Sequence, residues 1–78
     1  MILIVGINMN DTELVKLGQI IRAKRVQSSL TQVQLAALAG VDRNYIGMLE
    51  RGERNPSYLS LLKIANGLKL SVGELITL

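Results

Sequence analysis

Apolar residues recur three or four positions apart along most of the chain, a spacing that places side chains on one face of an α-helix. Polar or glycine-containing joints interrupt this repeat, so the pattern predicts an all-α fold of five helices. We expect these helices over residues 13–27, 32–39, 43–51, 58–68 and 72–78. The residues expected to face the core include Leu14, Leu17, Ile20 and Ile21 in the first helix and Leu35, Leu38 and Ala39 in the second.

Side chains that can cap a helix mark the predicted starts. Thr31 with Gln34, and Ser71 with Glu74, follow the capping-box pattern, in which each side chain bonds a backbone N–H of the other residue. The other predicted N-caps are Thr12 or Asn10 for the first helix, Asp42 for the third and Ser57 for the fourth.

A single glycine, Gly40, separates the second and third predicted helices. A residue without Cβ can adopt the left-handed conformation that ends one helix and turns the chain at once toward the next. Both helices are too short to bury their apolar sides alone, so we expect them to brace each other as a helix-turn-helix over residues 31–51.

The third predicted helix has two different sides when its residues are placed 100° apart. Tyr45, Ile46 and Leu49 are expected to face the core, and Arg43, Asn44, Gly47 and Arg51 are expected to face water. A helix that presents Arg and Asn in its first turn, braced by a preceding helix, has the shape that enters the DNA major groove. The pattern therefore indicates a DNA-reading helix.

Gly47 lies near the middle of this outward side. Glycine inside a helix costs about 1 kcal/mol relative to alanine. Its presence indicates either a close approach of the helix to a base or sugar, or a weak residue that the helix tolerates.

The amino-acid composition narrows the classes of function that the chain can have. The chain of 78 residues has no Cys and no His, which removes disulfides, thiolate and imidazole chemistry and the usual zinc ligands, so we expect neither an enzyme nor a bound metal or cofactor. The formal net charge is +3, which suits an anionic partner. Between residues 14 and 41 there are four basic residues and no acidic one. One region of the fold is therefore expected to be electropositive.

The apolar start, "MILIVGI", is too short for a membrane span and lacks the basic region of a signal peptide. Three interpretations remain open: a short strand, an N-terminal tail over residues 1–10, or a natural translation start at Met9. The DNA-binding domain is expected over residues 11–78 in each case.

The segment "TQVQLAALAGVDRNYIGMLERGERNPSYLSLLKIANGL" resembles the XRE/Cro-type helix-turn-helix family of phage repressors and Cro proteins. The resemblance covers roughly residues 17–75, and within the family "VDRNYIGMLERGERNPS" is most similar to the controller proteins of restriction-modification systems. It implies a five-helix lambda-repressor-like fold and a transcriptional regulator that binds double-stranded DNA. A phage-type repressor or an antitoxin that represses its own operon is an alternative, and a protein-interaction module is a rival from another class.

The resemblance also implies which residues touch DNA. Gln32 matches the family's phosphate-binding glutamine, which suits its place at a helix N-terminus. Arg43 and Asn44 match the base-reading positions, and Met48 matches an apolar contact to a thymine methyl. Tyr45 is ambiguous, since its ring is expected to face the core while its hydroxyl reaches the DNA backbone. The expected base-reading residues are Arg43, Asn44, Gly47 and Met48, and the expected backbone contacts are Gln32, Tyr45, Arg51, Arg54, Asn55, Ser57 and Tyr58.

Two further positions match the family's internal features. Arg25 and Glu50 match a paired Arg and Glu that join the first helix to the end of the third, and we expect this pair to orient the recognition helix without touching DNA. Ser29 stands where the family commonly has Gly, so we expect the end of the first helix to differ in shape.

A domain of this size has a thin core, which favours association with a second copy. We expect a cytoplasmic, bacterial or phage-encoded homodimer on pseudo-palindromic half-sites, with RNA polymerase as a further partner. The expected dimer interface consists of Leu75, Ile76 and Leu78.

Overall fold

The computed structural model describes the backbone of residues 2–77 and the side chains of residues 12–77. It contains five α-helices and, over these residues, no strand, so the predicted all-α fold is confirmed. The helices are α1 (Ile2–Gln27), α2 (Gln32–Ala39), α3 (Arg43–Glu50), α4 (Tyr58–Gly67) and α5 (Val72–Ile76). No helix in the described part of the chain is both long and apolar enough to cross a bilayer.

Four of the five predicted helix starts are confirmed by their caps. Thr31 and Ser71 each accept a hydrogen bond from the backbone N–H three residues later, and Gln34 and Glu74 complete both capping boxes. The side chains of Asp42 and Ser57 accept hydrogen bonds at the starts of α3 and α4. These caps satisfy backbone N–H groups that the first helical turn leaves without a partner.

The first helix starts earlier than predicted. It begins at Ile2, so the interpretation of the apolar start as a strand is wrong, and Thr12 and Asn10 lie inside the helix rather than at its cap. The segment before residue 13 contains no proline, and each residue added to an existing helix gains a backbone hydrogen bond. Local cap signals therefore did not mark the true start.

The turns between the helices follow the expected chemistry. Gly40 has φ = 73° and its N–H bonds the Ala36 carbonyl, which closes α2 and lets α3 begin three residues later. Ser29 adopts the same left-handed region, with φ = 59°. The end of α1 thus turns as a glycine-terminated helix would, and the expected difference in shape at Ser29 is wrong.

The core lies where the helices meet: α2 packs against α4 and α3, α1 packs against α3 and α5, and α4 packs against α5. Its fully buried large side chains come from all five helices, and they are Ile21, Leu35, Ile46, Leu49, Ile64 and Leu75. Leu38 is 61% exposed, so its predicted place in the core is wrong. It lies three residues after Leu35 on an eight-residue helix, and the other helices cover only part of that face.

Leu75 closes the core from α5 and is 0% exposed. Its predicted place in a dimer interface is therefore wrong, because the protomer's own core already covers the side chain. Ile76, the next residue, is 47% exposed. Leu78 lies outside the described residues, so Ile76 is the described residue of this set that a second copy can contact.

A close approach of two helices positions the candidate site. A Cβ built on Gly18 of α1 would lie 2.6 Å from the backbone oxygen of Glu50, at the end of α3. The absence of a side chain at Gly18 therefore lets α1 lie directly against the C-terminal end of α3, which fixes the direction of α3.

Candidate DNA-binding surface

The first turn of α3 carries the two residues predicted to read bases. Asp42 caps this turn, and its carboxylate accepts a hydrogen bond of 2.7 Å from the Asn44 backbone N–H. Arg43 and Asn44 themselves are exposed. They line an open groove of about 530 Å³ between α2 and α3, whose lining residues are Gln32, Val33, Arg43, Asn44, Gly47, Met48 and Arg51. The structure thus brings all four predicted base readers to one groove.

Gly47 is buried, although the sequence pattern placed it in water. A Cβ built on this residue would lie 3.2 Å from Nη1 of Arg51 and 3.6 Å from Oε1 of Gln32. Two neighbouring side chains thus cover the position, which a helical wheel of α3 alone cannot show. The prediction that Gly47 faces water is wrong, and the missing side chain makes room for Arg51 and Gln32.

The predicted Arg25–Glu50 pair is confirmed. Nε of Arg25 donates to Oε2 of Glu50 at 2.6 Å and Nη2 donates to Oε1 at 3.0 Å, and the two side chains are 12% and 4% exposed. Nη1 of Arg25 also bonds the Leu30 carbonyl. The hydrogen bond to Glu50 raises the pKa of Arg25, burial opposes this, and the charge of Glu50 adds to it. Arg25 therefore remains charged, and its bonds to Glu50 join α1 to α3.

Gln32 extends this pair toward the groove. Its side-chain amide donates a hydrogen bond of 3.0 Å to Oε1 of Glu50. The sequence assigned Gln32 only to a DNA phosphate, and the structure gives it an internal partner as well. Because Gln32 opens α2 and Glu50 ends α3, this bond joins the two helices of the helix-turn-helix.

Arg51 follows α3 as its C-cap residue and forms an exposed ion pair with Glu53. Its Nε donates to Oε2 of Glu53 at 2.9 Å and its Nη2 donates to Oε1 at 3.1 Å. This pairing raises the pKa of Arg51, and the hydrogen bonds from Arg51 lower the pKa of Glu53. Sequence reasoning missed Glu53, although an acid two residues after an outward Arg is a readable signal.

A second exposed group of predicted contacts lies outside the groove, in the loop after α3 and at the start of α4. The guanidinium carbon of Arg54 lies 5.7 Å from the ring centre of Tyr45, within the range of a cation–π contact. The Tyr45 ring is half-buried and packs against the core, as the helical wheel predicted. The Ser57 hydroxyl caps α4 and donates to Oγ of Ser60, whereas Asn55 and Tyr58 are exposed.

Residues 21–75 match the family model described as "Helix-turn-helix". The chain belongs to the helix-turn-helix family. It is 41% identical over 61 residues to the control protein C.SmaI of Serratia marcescens, a match that covers 78% of this chain and 73% of that protein. The crystal structure of the restriction-modification controller protein C.AhdI from Aeromonas hydrophila is 45% identical, with a TM-score of 0.80, and the match covers 82% of this chain and 97% of that one.

A third relative is a repressor. The chain is 41% identical over 59 residues to the immunity repressor protein of Bacillus phage phi105, covering 76% of this chain and 41% of that protein. The matches confirm the predicted resemblance to the XRE/Cro-type family and to restriction-modification controllers within it. This helix-turn-helix protein is a DNA-binding transcription regulator.

Proposed function

We propose that this regulator is a controller protein of a restriction-modification system, which binds pseudo-palindromic half-sites of its own operator as a homodimer. It needs no cofactor and performs no catalysis, and it acts in the cytoplasm. The observation that carries the proposal is the groove in which the exposed first turn of α3 presents Arg43 and Asn44. Similarity to C.SmaI and C.AhdI over most of all three chains supports the controller assignment.

The geometry suits base reading because the exposed residues stand on a fixed helix. Arg25, Glu50 and Gln32 join α1, α2 and the end of α3 through hydrogen bonds of 2.6–3.0 Å. A base-reading side chain discriminates only when its supporting backbone holds a defined position relative to the base edge. The largely buried side chains of Arg25 and Glu50 thus support specificity without touching DNA.

The proposed contacts divide into two kinds. Arg43, Asn44 and Met48 line the groove and would meet base edges, whereas Gln32, Arg51 and Arg54 would meet phosphates. Met48 is half-buried there, which suits contact with a thymine methyl. A controller that activates transcription would in addition contact RNA polymerase.

The test is a selection of bound duplexes from a random pool, using the whole chain at fixed salt, because affinity for DNA depends steeply on ionic strength. We expect a selected sequence with two related half-sites whose centres are about 34–36 Å apart, or one helical turn. Recovery of duplexes without a common sequence would contradict the proposal. The selected sequence should then occur upstream of the protein's own gene and of a neighbouring endonuclease gene.

Similarity to the phi105 immunity repressor favours one second candidate, a phage-type repressor. The same selection would succeed for both candidates, so the genes beside the operator distinguish them. An endonuclease and a methyltransferase would support the controller, phage genes would support the repressor, and a toxin gene would support an antitoxin.

A further inference from the structure

The surface that is proposed to bind DNA contains a carboxylate paired with one of its own arginines. Arg51 lines the groove beside α3, and both nitrogens that it directs at Glu53 make hydrogen bonds, at 2.9 and 3.1 Å. The two side chains are 59% and 52% exposed, so the pair lies open to a ligand. The bidentate carboxylate occupies the Nε–Nη2 edge of the guanidinium, which is one of the two edges that can bind a phosphate.

The backbone fixes this pair at the end of α3. Gly52 turns the chain with φ = 77°, and the N–H of Glu53 bonds the Met48 carbonyl at 2.9 Å. Glu53 therefore stands at a set position relative to the recognition helix. This position depends on main-chain bonds, so replacing the carboxylate leaves the fold of the loop in place.

The absence of a side chain at Gly47 leaves room for the Arg51 side chain. The guanidinium Nη1 of Arg51 lies 3.2 Å from the point where a Cβ of residue 47 would stand. Arg51 thus lies over the exposed side of α3, directed toward Glu53. Any duplex that enters the groove meets Arg51 already bound to a carboxylate.

We propose that Glu53 is an internal competitor of the DNA backbone for Arg51, and thereby sets the affinity of the groove for DNA. A phosphate that binds the Nε–Nη2 edge of Arg51 must displace the Glu53 carboxylate, whose negative charge also repels it. The proposal rests on the proposed function, because it assumes that duplex DNA occupies this groove.

The test compares Glu53→Gln with the parent protein on the selected operator and on an unrelated duplex at low salt. An exposed ion pair is worth little, so we expect the affinity of E53Q to rise about two- to fivefold. Glu13→Gln is the matched control, since Glu13 pairs with Lys16 at 3.8 Å on α1, with both side chains exposed. We expect E13Q to bind like the parent, and a rise equal to that of E53Q would overturn the proposal.

A double-mutant comparison separates competition from a general effect of charge. In an Arg51→Gln background the Glu53→Gln change should raise affinity clearly less than in the parent, because no arginine remains to be released and only the loss of one negative charge near the DNA acts. An equal rise with and without Arg51, no rise at all, or no DNA binding by any variant would overturn the proposal. The proposed function is judged separately, by whether the parent prefers the operator. The rise in affinity could require Arg51 while the parent binds the operator and the unrelated duplex equally well. That result would contradict the proposed function but not the competition by Glu53.

Discussion

Glu50 connects Arg25 of α1 with Gln32 of α2. Its carboxylate, 4% exposed, accepts hydrogen bonds from both Arg25 and Gln32. Removing one partner of a buried ion pair leaves the other charge without compensation, which costs more than the pair itself contributes. Glu50 is thus a structural residue at the edge of a binding surface.

We expect Glu50→Ala to lower the free energy of unfolding by about 3 kcal/mol, because it leaves the guanidinium of Arg25 unpaired near the core. Urea unfolding of the purified proteins measures this. Glu13→Ala is the control, and loss of its exposed pair with Lys16 should cost less than about 0.5 kcal/mol. Similar losses in the two variants would show that the Arg25–Glu50 pair does not carry the packing of α1 on α3.

The capping hydrogen bonds of Glu74 are expected to make the stability of the fold depend on pH. The Ser71 backbone N–H, the Ser71 hydroxyl and the charge of Lys24 lower the pKa of Glu74, and desolvation opposes them. A carboxyl whose pKa is lower in the folded state stabilises that state above its ordinary pKa and loses this contribution as pH falls through the folded value. The cap should therefore weaken below about pH 4.5, the ordinary value.

Glu74→Gln keeps an acceptor oxygen for the Ser71 N–H but does not titrate. We expect the parent to lose stability relative to E74Q as pH falls from 6 to 3. Thermal unfolding at each pH measures it. A difference that stays constant over this range would contradict a lowered pKa of Glu74 in the folded state.

At the scale of the helix, two glycines fill opposite roles. Gly18 lies where backbone meets backbone, since an added Cβ would stand 2.6 Å from the Glu50 carbonyl oxygen and 2.9 Å from its carbon. Gly47 lies beneath the tip of a flexible side chain, Arg51, at 3.2 Å. A backbone cannot give way as a side-chain tip can, so the same substitution should act differently at the two sites.

We expect Gly18→Ala to destabilise the fold by about 1–3 kcal/mol, because it pushes α1 away from the end of α3. Gly47→Ala should leave stability unchanged or raise it by up to about 1 kcal/mol, since alanine favours helix and Arg51 can move. Chemical unfolding compares the two variants directly. If G47A loses as much stability as G18A, Gly47 is needed for packing rather than for seating Arg51.

The sequence predicted those features of the helices that neighbouring residues determine. The caps at Thr31, Asp42, Ser57 and Ser71 and the turn at Gly40 rest on bonds within a few residues, so local patterns identified them. The resemblance to a family supplied the Arg25–Glu50 pair, which joins positions 25 residues apart.

The predictions that were wrong concern residues whose burial depends on how separate helices pack against one another. Gly47 is buried by Gln32 and Arg51, and Leu38 is exposed because the packing of α2 leaves it uncovered. Leu75 is buried in the core of its own chain and does not lie at a surface that a second copy could contact. A wheel drawn for one helix contains none of this information. The bond from Gln32 to Glu50, which joins two helices, was missed for the same reason. The pair of Arg51 with Glu53 differs, since it joins residues two positions apart and could have been predicted from neighbouring residues.

At the scale of the whole molecule, the proposed function requires two recognition helices. Each protomer offers one α3, and half-sites about one helical turn apart need a dimer to place both helices in successive major grooves. Ile76 on α5 is 47% exposed and adjoins the buried Leu75. We propose that this part of α5 meets a second copy.

We expect a dimer at micromolar concentration, and Ile76→Asp should convert it to a monomer because a carboxylate would be buried at the interface. Analytical ultracentrifugation of both proteins measures this. Leu59→Asp is the control, since Leu59 is 67% exposed at the opposite end of α4 from the expected interface. A monomeric parent, with or without DNA, or a dimer that I76D leaves intact, would contradict this interface.

The central claim is that α3 reads bases through Arg43. A guanidinium that bonds both O6 and N7 of a guanine discriminates by about 1–3 kcal/mol, whereas a contact to phosphate is independent of sequence. Arg54→Ala is a matched control, because it removes the same charge from an exposed residue that is expected to meet phosphate.

The most direct measurement is a titration of the parent, Arg43→Ala and Arg54→Ala against the selected operator and its single-base variants at one salt concentration. We predict that R43A loses its preference at one guanine in each half-site and weakens operator binding far more than non-specific binding, whereas R54A weakens both by a similar factor and keeps the preference. If R43A keeps the full guanine preference of the parent, α3 does not read bases through Arg43.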